Sequence, residues 1–212
     1  MEIERHATFK VKVVVPIFRP IFSTLMRIMT FSLNPLSVRG RALVPREGGL
    51  IVLSNHLADL DPLLLQYASP RPVRFMAKAD LFELKVIGSI LRYVQAFPVK
   101  RGQPDRGALK YAIALAKAGE VVIIFPEGEL SATGELLPLL PGAGLIIRQA
   151  GVPAICCRID GTNLLLPYGQ TVPRFRLGAK LTARWSEARN LSGYSNDEIL
   201  EWIRANLELA QI

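Results

Sequence analysis

The stretch SNHLADLDPLLL, residues 54–65, holds one of only two histidines in the chain, and His56 stands five positions ahead of Asp61. It follows an apolar run and precedes another, so a tight turn between two elements is expected to bring carboxylate and imidazole within hydrogen-bond reach. A carboxylate placed there would accept one ring N–H, fix the tautomer and stabilise the imidazolium, leaving the other nitrogen to take a proton. Such a ring is a general base for a hydroxyl or an amine. The same spacing fits a plainer arrangement, in which Asp61 caps a helix, His56 is hydrogen-bonded at a strand end and Asp59 competes as the carboxylate. No serine occupies a Gly-x-Ser-x-Gly turn, and Cys156 and Cys157 lie in an apolar run with only Arg158 beside them. A base at His56 would therefore activate a substrate, not a side chain.

Two further polar stretches share this character. In FPVKRG, Arg101 follows Lys100 and precedes Gly102, and its guanidinium could grip a phosphate bidentately or simply sit in a solvated turn. In FPEGELS, Glu127 lies between Pro126 and Gly128. It could accept a hydrogen bond from a substrate hydroxyl, with Gly128 permitting close backbone approach, or belong to an ordinary polar loop.

The elements that must position these groups alternate. LIVLSNH reads as a buried strand, and Asp61 with Pro62 suits the N-cap and first residue of a helix. A strand is expected over 73–77. Asp80 can cap a helix over 81–94, with Leu84, Ile87, Leu91 and Val94 turned to the core. A short strand in QAFPVKRG leads to a helix capped by Asp105 and closed by Gly119. Val121 to Phe125 form the next strand, GAGLIIRQAG a helix stopped by Gly151, and VPAICCRI another strand. KLTARW alternates like an edge or half-exposed strand, and Ser195 with Glu198 forms a capping box for a last helix whose Ile199, Trp202, Ile203 and Leu207 share a face. The pattern predicts an α/β fold, a mostly parallel central sheet flanked by helices, with ligands outside the carboxyl ends of the strands.

With 212 residues, the chain suits one domain of the usual ~100–200 residues plus a short appendage. We divide it into an N-terminal arm, 1–35, and a domain over 36–212. The arm shows Ile21, Leu25, Ile28 and Met29 at helical spacing, with Arg19 and Arg27 able to snorkel. It reads as an amphipathic helix lying in a membrane surface or, alternatively, packed on the protein's own core. Hydrophobic residues make up 50% and mean hydropathy is +0.27, yet no run reaches the roughly 18 apolar residues of a membrane span. The net charge of +8 invites an anionic partner, and residues 71–106 alone hold eight basic against three acidic side chains. Without interleaved aromatics, a helix-turn-helix pattern or zinc spacing, nucleic acid has only net charge behind it. An anionic membrane surface fits better. Adjacent cysteines cannot close an ordinary disulfide loop and offer no metal spacing. With no cleaved leader in the N-terminal pattern, the cytoplasmic face of the cell membrane is the expected location, peripheral or monotopic.

Taken together, these blocks resemble the glycerolipid acyltransferases, the family that includes the 1-acylglycerol-3-phosphate (lysophosphatidic acid) acyltransferases. NHLADLD matches its N-H-x4-D block, FPVKR resembles its second, FPEGELS its third, and GVPAICCRI the apolar Val-Pro block that follows, in the same order over about 38–184. The resemblance implies an O-acyltransferase fold and activity. A fatty acyl group would pass from an acyl-CoA or acyl-carrier-protein thioester to the free hydroxyl of a lysophospholipid, in phospholipid biosynthesis or remodelling. His56 would deprotonate that hydroxyl and Asp61 would orient His56. Arg101 would hold the acceptor's phosphate, Glu127 and Gly128 would position its glycerol, and Asn55 would be a motif member with a structural role. No cofactor, metal or covalent acyl-enzyme is implied. Two departures bear on the acceptor: Glu129 and Leu130 stand where the family commonly has Thr-Arg, and Leu140 stands where it often has Lys. They weaken the case for a phosphate monoester. The form FPEGELSATGELLP is similar to acyltransferase domains associated with lysophosphatidylethanolamine. Alternatives are therefore that acceptor, an ornithine-type lysolipid, or a non-catalytic lipid-binding module.

Overall fold

The structure, a computed structural model, describes residues 35–99, 105–170 and 178–209. Strands β1 (Leu36–Arg39), β2 (Leu50–Ser54), β3 (Val73–Lys78), β4 (Phe97–Val99), β5 (Val121–Ile124), β6 (Ala154–Asp160) and β7 (Leu181–Trp185) form one sheet in the order β1-β7-β6-β2-β5-β3-β4. The five strands from β6 to β4 are mutually parallel. At the other side β7 turns antiparallel to β6, and β1 runs parallel to β7. The mostly parallel α/β sheet expected from the alternation is present.

Among the described residues six α-helices follow in chain order: α1 (Asp61–Ala68), α2 (Lys85–Tyr93), α3 (Arg106–Lys117), α4 (Gly142–Ala150), α5 (Thr162–Leu165) and α6 (Asn196–Leu209). Two cores lie on opposite faces of the sheet. One joins Leu64 and Leu65 of α1 to Val52, Phe75 and Ile123; the other joins α3, α4 and α6 through Ala112, Ile147 and Ile203 to Ile51, Val122 and Cys156. Because β2 and β5 are sandwiched between them, all five residues of β2 and all four of β5 are buried. That is why both read as unbroken apolar runs instead of alternating ones.

Local signals held at several helix ends. Asp105 accepts from Ala108 N–H at 2.9 Å to start α3. Gly151 ends α4 at φ 65°. Ser195 and Glu198 close their reciprocal box, with Ser195 N–H donating to Glu198 Oε2 at 2.8 Å and Glu198 N–H to Ser195 Oγ at 3.3 Å.

Three expectations change. Asp80 caps nothing: residues Ala79–Glu83 form a 3-10 turn, the helix begins only at Lys85, and the Asp80 carboxylate pairs with Lys78 Nζ at 3.0 Å. Leu84 and Ile87, expected in the core, are 48% and 43% exposed. Finally, of the two readings of KLTARW the half-exposed one holds, with Leu181, Ala183 and Trp185 buried and Thr182 and Arg184 partly so, while the edge one does not, because β1, four residues too short to carry a pattern, covers it. The N-terminal arm, apart from its last residue, lies outside the described residues.

Candidate active site

β2 ends at Ser54, and Asn55 carries the ladder one step further with its side chain. Its amide donates to Ile159 C=O and accepts from Ile159 N–H, both at 2.7 Å. The carboxamide thus stands in for a peptide group beside β6, while the backbone leaves the sheet and delivers His56 at the carboxyl end of the parallel strands. That end is where an open α/β sheet gathers its ligands.

His56 Nδ1 lies 2.9 Å from Asp61 Oδ2. The same oxygen accepts from Leu57 N–H at 2.6 Å and Ala58 N–H at 2.9 Å. Three donors converging on one carboxylate oxygen fix its position. Asp61 is the first residue of α1, Pro62 the second, and Leu60 stands at the N-cap position without a side-chain cap. The expected cap is therefore replaced: the carboxylate turns back onto the preceding turn and the imidazole instead of onto the helix's own N–H groups. Pro62 is harmless so close to the helix start, where N–H groups lack intrahelical partners. With Asp61 receiving Nδ1–H, the neutral ring carries its lone pair on Nε2, the nitrogen a substrate hydroxyl would meet.

The second loop grips the first. Glu127 is 4% exposed; its Oε1 accepts from His56 N–H at 2.8 Å and its Oε2 from Leu137 N–H at 2.7 Å. Ser131 N–H donates to His56 C=O at 2.8 Å. Both backbone polar groups of His56 are thus held by residues 127–131. Burial pushes the Glu127 carboxyl above its ordinary range, against the two backbone hydrogen bonds that favour its charge. Asn55, His56, Asp61, Glu127 and Gly128 are therefore brought together, and Glu127 acts as a clasp between loops. Gly128 has φ 76°, and a side chain there would run into Leu140 Cδ1. Arg101 lies outside the described residues.

Two residues of the third block take part in the site without any chemical signal in the sequence. Phe125 stacks on His56, ring centroids 3.9 Å apart and planes at 16°. Ser131 is buried, and besides its N–H bond its Oγ donates to Glu135 C=O at 2.6 Å and accepts from Gly134 N–H at 3.0 Å. Both sat in plain view in FPEGELS, but neither type announces chemistry. Phe125 read as the last residue of a buried strand. The two cysteines are buried in β6, and burial pushes both thiols far up, away from nucleophilic thiolate character.

A family model described as Acyltransferase matches residues 35–160. The chain is 35% identical over 135 residues to the 1-acyl-sn-glycerol-3-phosphate acyltransferase of Bacillus subtilis, covering 60% of this chain and 67% of that protein. It is 33% identical over 121 residues to the chloroplastic enzyme of the same name, BAT2, of Brassica napus, where the match spans 56% of this chain and 35% of the relative. The crystal structure of the 1-acyl-sn-glycerophosphate acyltransferase from Thermotoga maritima superposes with a TM-score of 0.75 at 24% identity, covering 98% of this chain and 84% of that one, and so shares the fold. With more than half of its length inside the family model, and with the His56–Asp61 turn and its clasp within that stretch, the chain belongs to the glycerolipid acyltransferase family and is by that membership an O-acyltransferase.

Proposed function

We propose that this chain transfers a fatty acyl group from an acyl-CoA or acyl-carrier-protein thioester to the free hydroxyl of a lysophospholipid, 1-acylglycerol-3-phosphate or a related acceptor, in phospholipid biosynthesis or remodelling. The observation that carries the reading is the 2.9 Å bond from His56 Nδ1 to a carboxylate oxygen already fixed by two backbone N–H groups. Nε2 takes the proton of the acceptor hydroxyl as its oxygen attacks the thioester carbonyl. The Asp61 carboxylate stabilises the imidazolium that forms. The tetrahedral intermediate collapses, the C–S bond breaks, and the imidazolium returns the proton to the departing thiolate. Protons balance within the site, and no acyl-enzyme is needed. Arg101 would bind the acceptor's phosphate, and Gly128 would let the acceptor approach the backbone beside His56.

Glu129 and Leu130 next to this clasp, and Leu140 packed over Gly128, favour a second acceptor class, in which the phosphate is a diester, as in lysophosphatidylethanolamine, or is absent, as in an ornithine-type lysolipid. A cationic headgroup would suit Glu129, which is exposed. No helix among the described residues is long and apolar enough to cross a membrane, and the working location we propose is the cytoplasmic membrane face, peripheral or monotopic. The test is purified protein with acyl-CoA or acyl-carrier protein against lysophosphatidic acid, lysophosphatidylethanolamine and an ornithine-type lysolipid, with products identified by mass spectrometry. Acylation of one lysolipid fixes acceptor and donor together. Binding of lysolipid vesicles with no acylation across the panel would instead favour a non-catalytic module.

A further inference from the structure

Helix α2 is amphipathic in an unusual direction. Leu84, Ile87 and Ile90 are each more than two-fifths exposed, three large aliphatic side chains within seven residues. Their exposure is not slack in the helix. Gly88 N–H donates to Leu84 C=O at 2.6 Å, and Gly88 sits so close to Phe82 C=O that any side chain there would collide with it. Arg92 Nη2 donates to the same carbonyl at 2.9 Å, with its guanidinium carbon 5.9 Å from the centroid of the Phe82 ring. Two contacts one turn apart thus anchor the helix to the turn before it, and along its length Leu91 and Val94 in the last turn pack on the core while Leu84, Ile87 and Ile90 nearer its start stay exposed. The helix carries Lys85 and Arg92 and no acid; Glu83 is the nearest, and Asp80 is engaged by Lys78. An apolar face bordered by cations is the pattern of a helix lying in a lipid headgroup layer.

We propose that this face of α2 seats on an anionic bilayer. A bilayer complements both halves of it, receiving the aliphatic side chains among its acyl chains and Lys85 among its phosphates, with the chain's net charge of +8 adding to the attraction. The topology gives the contact a purpose that rests on the acyl-transfer reading. α2 begins just beyond the carboxyl end of β3, and β3 runs parallel to β2 through β5, so Leu84 lies on the same edge of the sheet as His56. A membrane docked there lies against the edge at which a lysolipid would enter.

The test labels the 212-residue chain with an environment-sensitive fluorophore at Ile87→Cys, and separately at Lys117→Cys on α3 as a control on the opposite face. The native cysteines are buried and do not compete for the label. On phosphatidylcholine vesicles containing phosphatidylglycerol, the label at 87 should shift to the blue and brighten several-fold while the label at 117 stays unchanged. The double variant Ile87→Glu, Ile90→Glu should bind those vesicles about tenfold or more weakly, given the apolar area lost and the helix's positive charge cancelled. Its turnover of vesicle-embedded acceptor should fall in parallel, and its turnover of a short-chain, monomeric acceptor should not. A silent label at 87 on vesicles that hold the protein, an unaltered affinity in the double variant, or no vesicle binding at all overturns the proposal. A label response that rises with protein concentration without vesicles also overturns it, by showing a second copy on this face. The fluorescence reads contact without turnover, so it stands or falls separately from the acyl-transfer reading.

Discussion

His56 is held in place by what surrounds its backbone as much as by Asp61. Glu127 and Ser131 take its N–H and C=O, Phe125 lies against its ring, and Asp61 takes Nδ1. Glu127→Gln should therefore harm the site by loosening it. An amide offers one acceptor where two backbone N–H groups now need one each, leaving an unsatisfied donor at a cost of about 1–3 kcal/mol. The variant should also change the pH dependence of stability. Burial raises the Glu127 carboxyl above its ordinary 4.5, so the folded state holds this proton more tightly than the unfolded chain does. Its contribution is complete below the ordinary value and is lost as pH climbs through the raised one. Urea melts from pH 4 upward should show the wild type losing stability relative to Glu127→Gln across that window; parallel curves would contradict this. Cys156 and Cys157 supply a complementary check. Thiols kept protonated by burial should resist iodoacetamide in the native protein, and acyl transfer should survive the treatment.

Asn55 illustrates how much of the site depends on the elements. Asn55→Leu strands the N–H and C=O of Ile159, two buried groups at about 1–3 kcal/mol each, and should lower the denaturation midpoint while also reducing turnover, since the turn it anchors carries His56. Retention of both would show that the ladder does not need the amide. The His56–Asp61 pairing was legible because a polar break between two apolar runs leaves few places for such residues to go. The helix after Asp80 was less so. A spacing of three and four tells which residues share an arc but not how far along the helix the core lies beneath it, and here the core reaches Leu91 and Val94 but not Leu84 and Ile87, an outcome of tertiary packing. For the same reason Asp61 looked like a cap. Its position at the first turn was right within one residue, but the donors it reaches precede the helix.

At the scale of the molecule, the parallel sheet followed from unbroken apolar runs, whereas β1 did not, because four residues between Pro35 and Gly40 hold too little pattern to be read. A chain of net charge +8 should bind anionic vesicles less tightly as salt rises, since screening shortens the reach of exposed charges to about 8 Å at physiological ionic strength. Salt-independent binding would point to apolar insertion alone. All of this serves one claim, that His56 activates the acceptor hydroxyl directly. The most direct measurement is the acyl-transfer rate of His56→Ala beside wild type, at saturating thioester and lysophospholipid, with intact-protein mass spectrometry of the reaction. The account predicts a loss on the order of 10²–10⁴ in turnover with acceptor binding retained, and no acyl adduct on either protein. Turnover near wild type in the variant, or a chemically competent acyl-enzyme in the wild type, would contradict it.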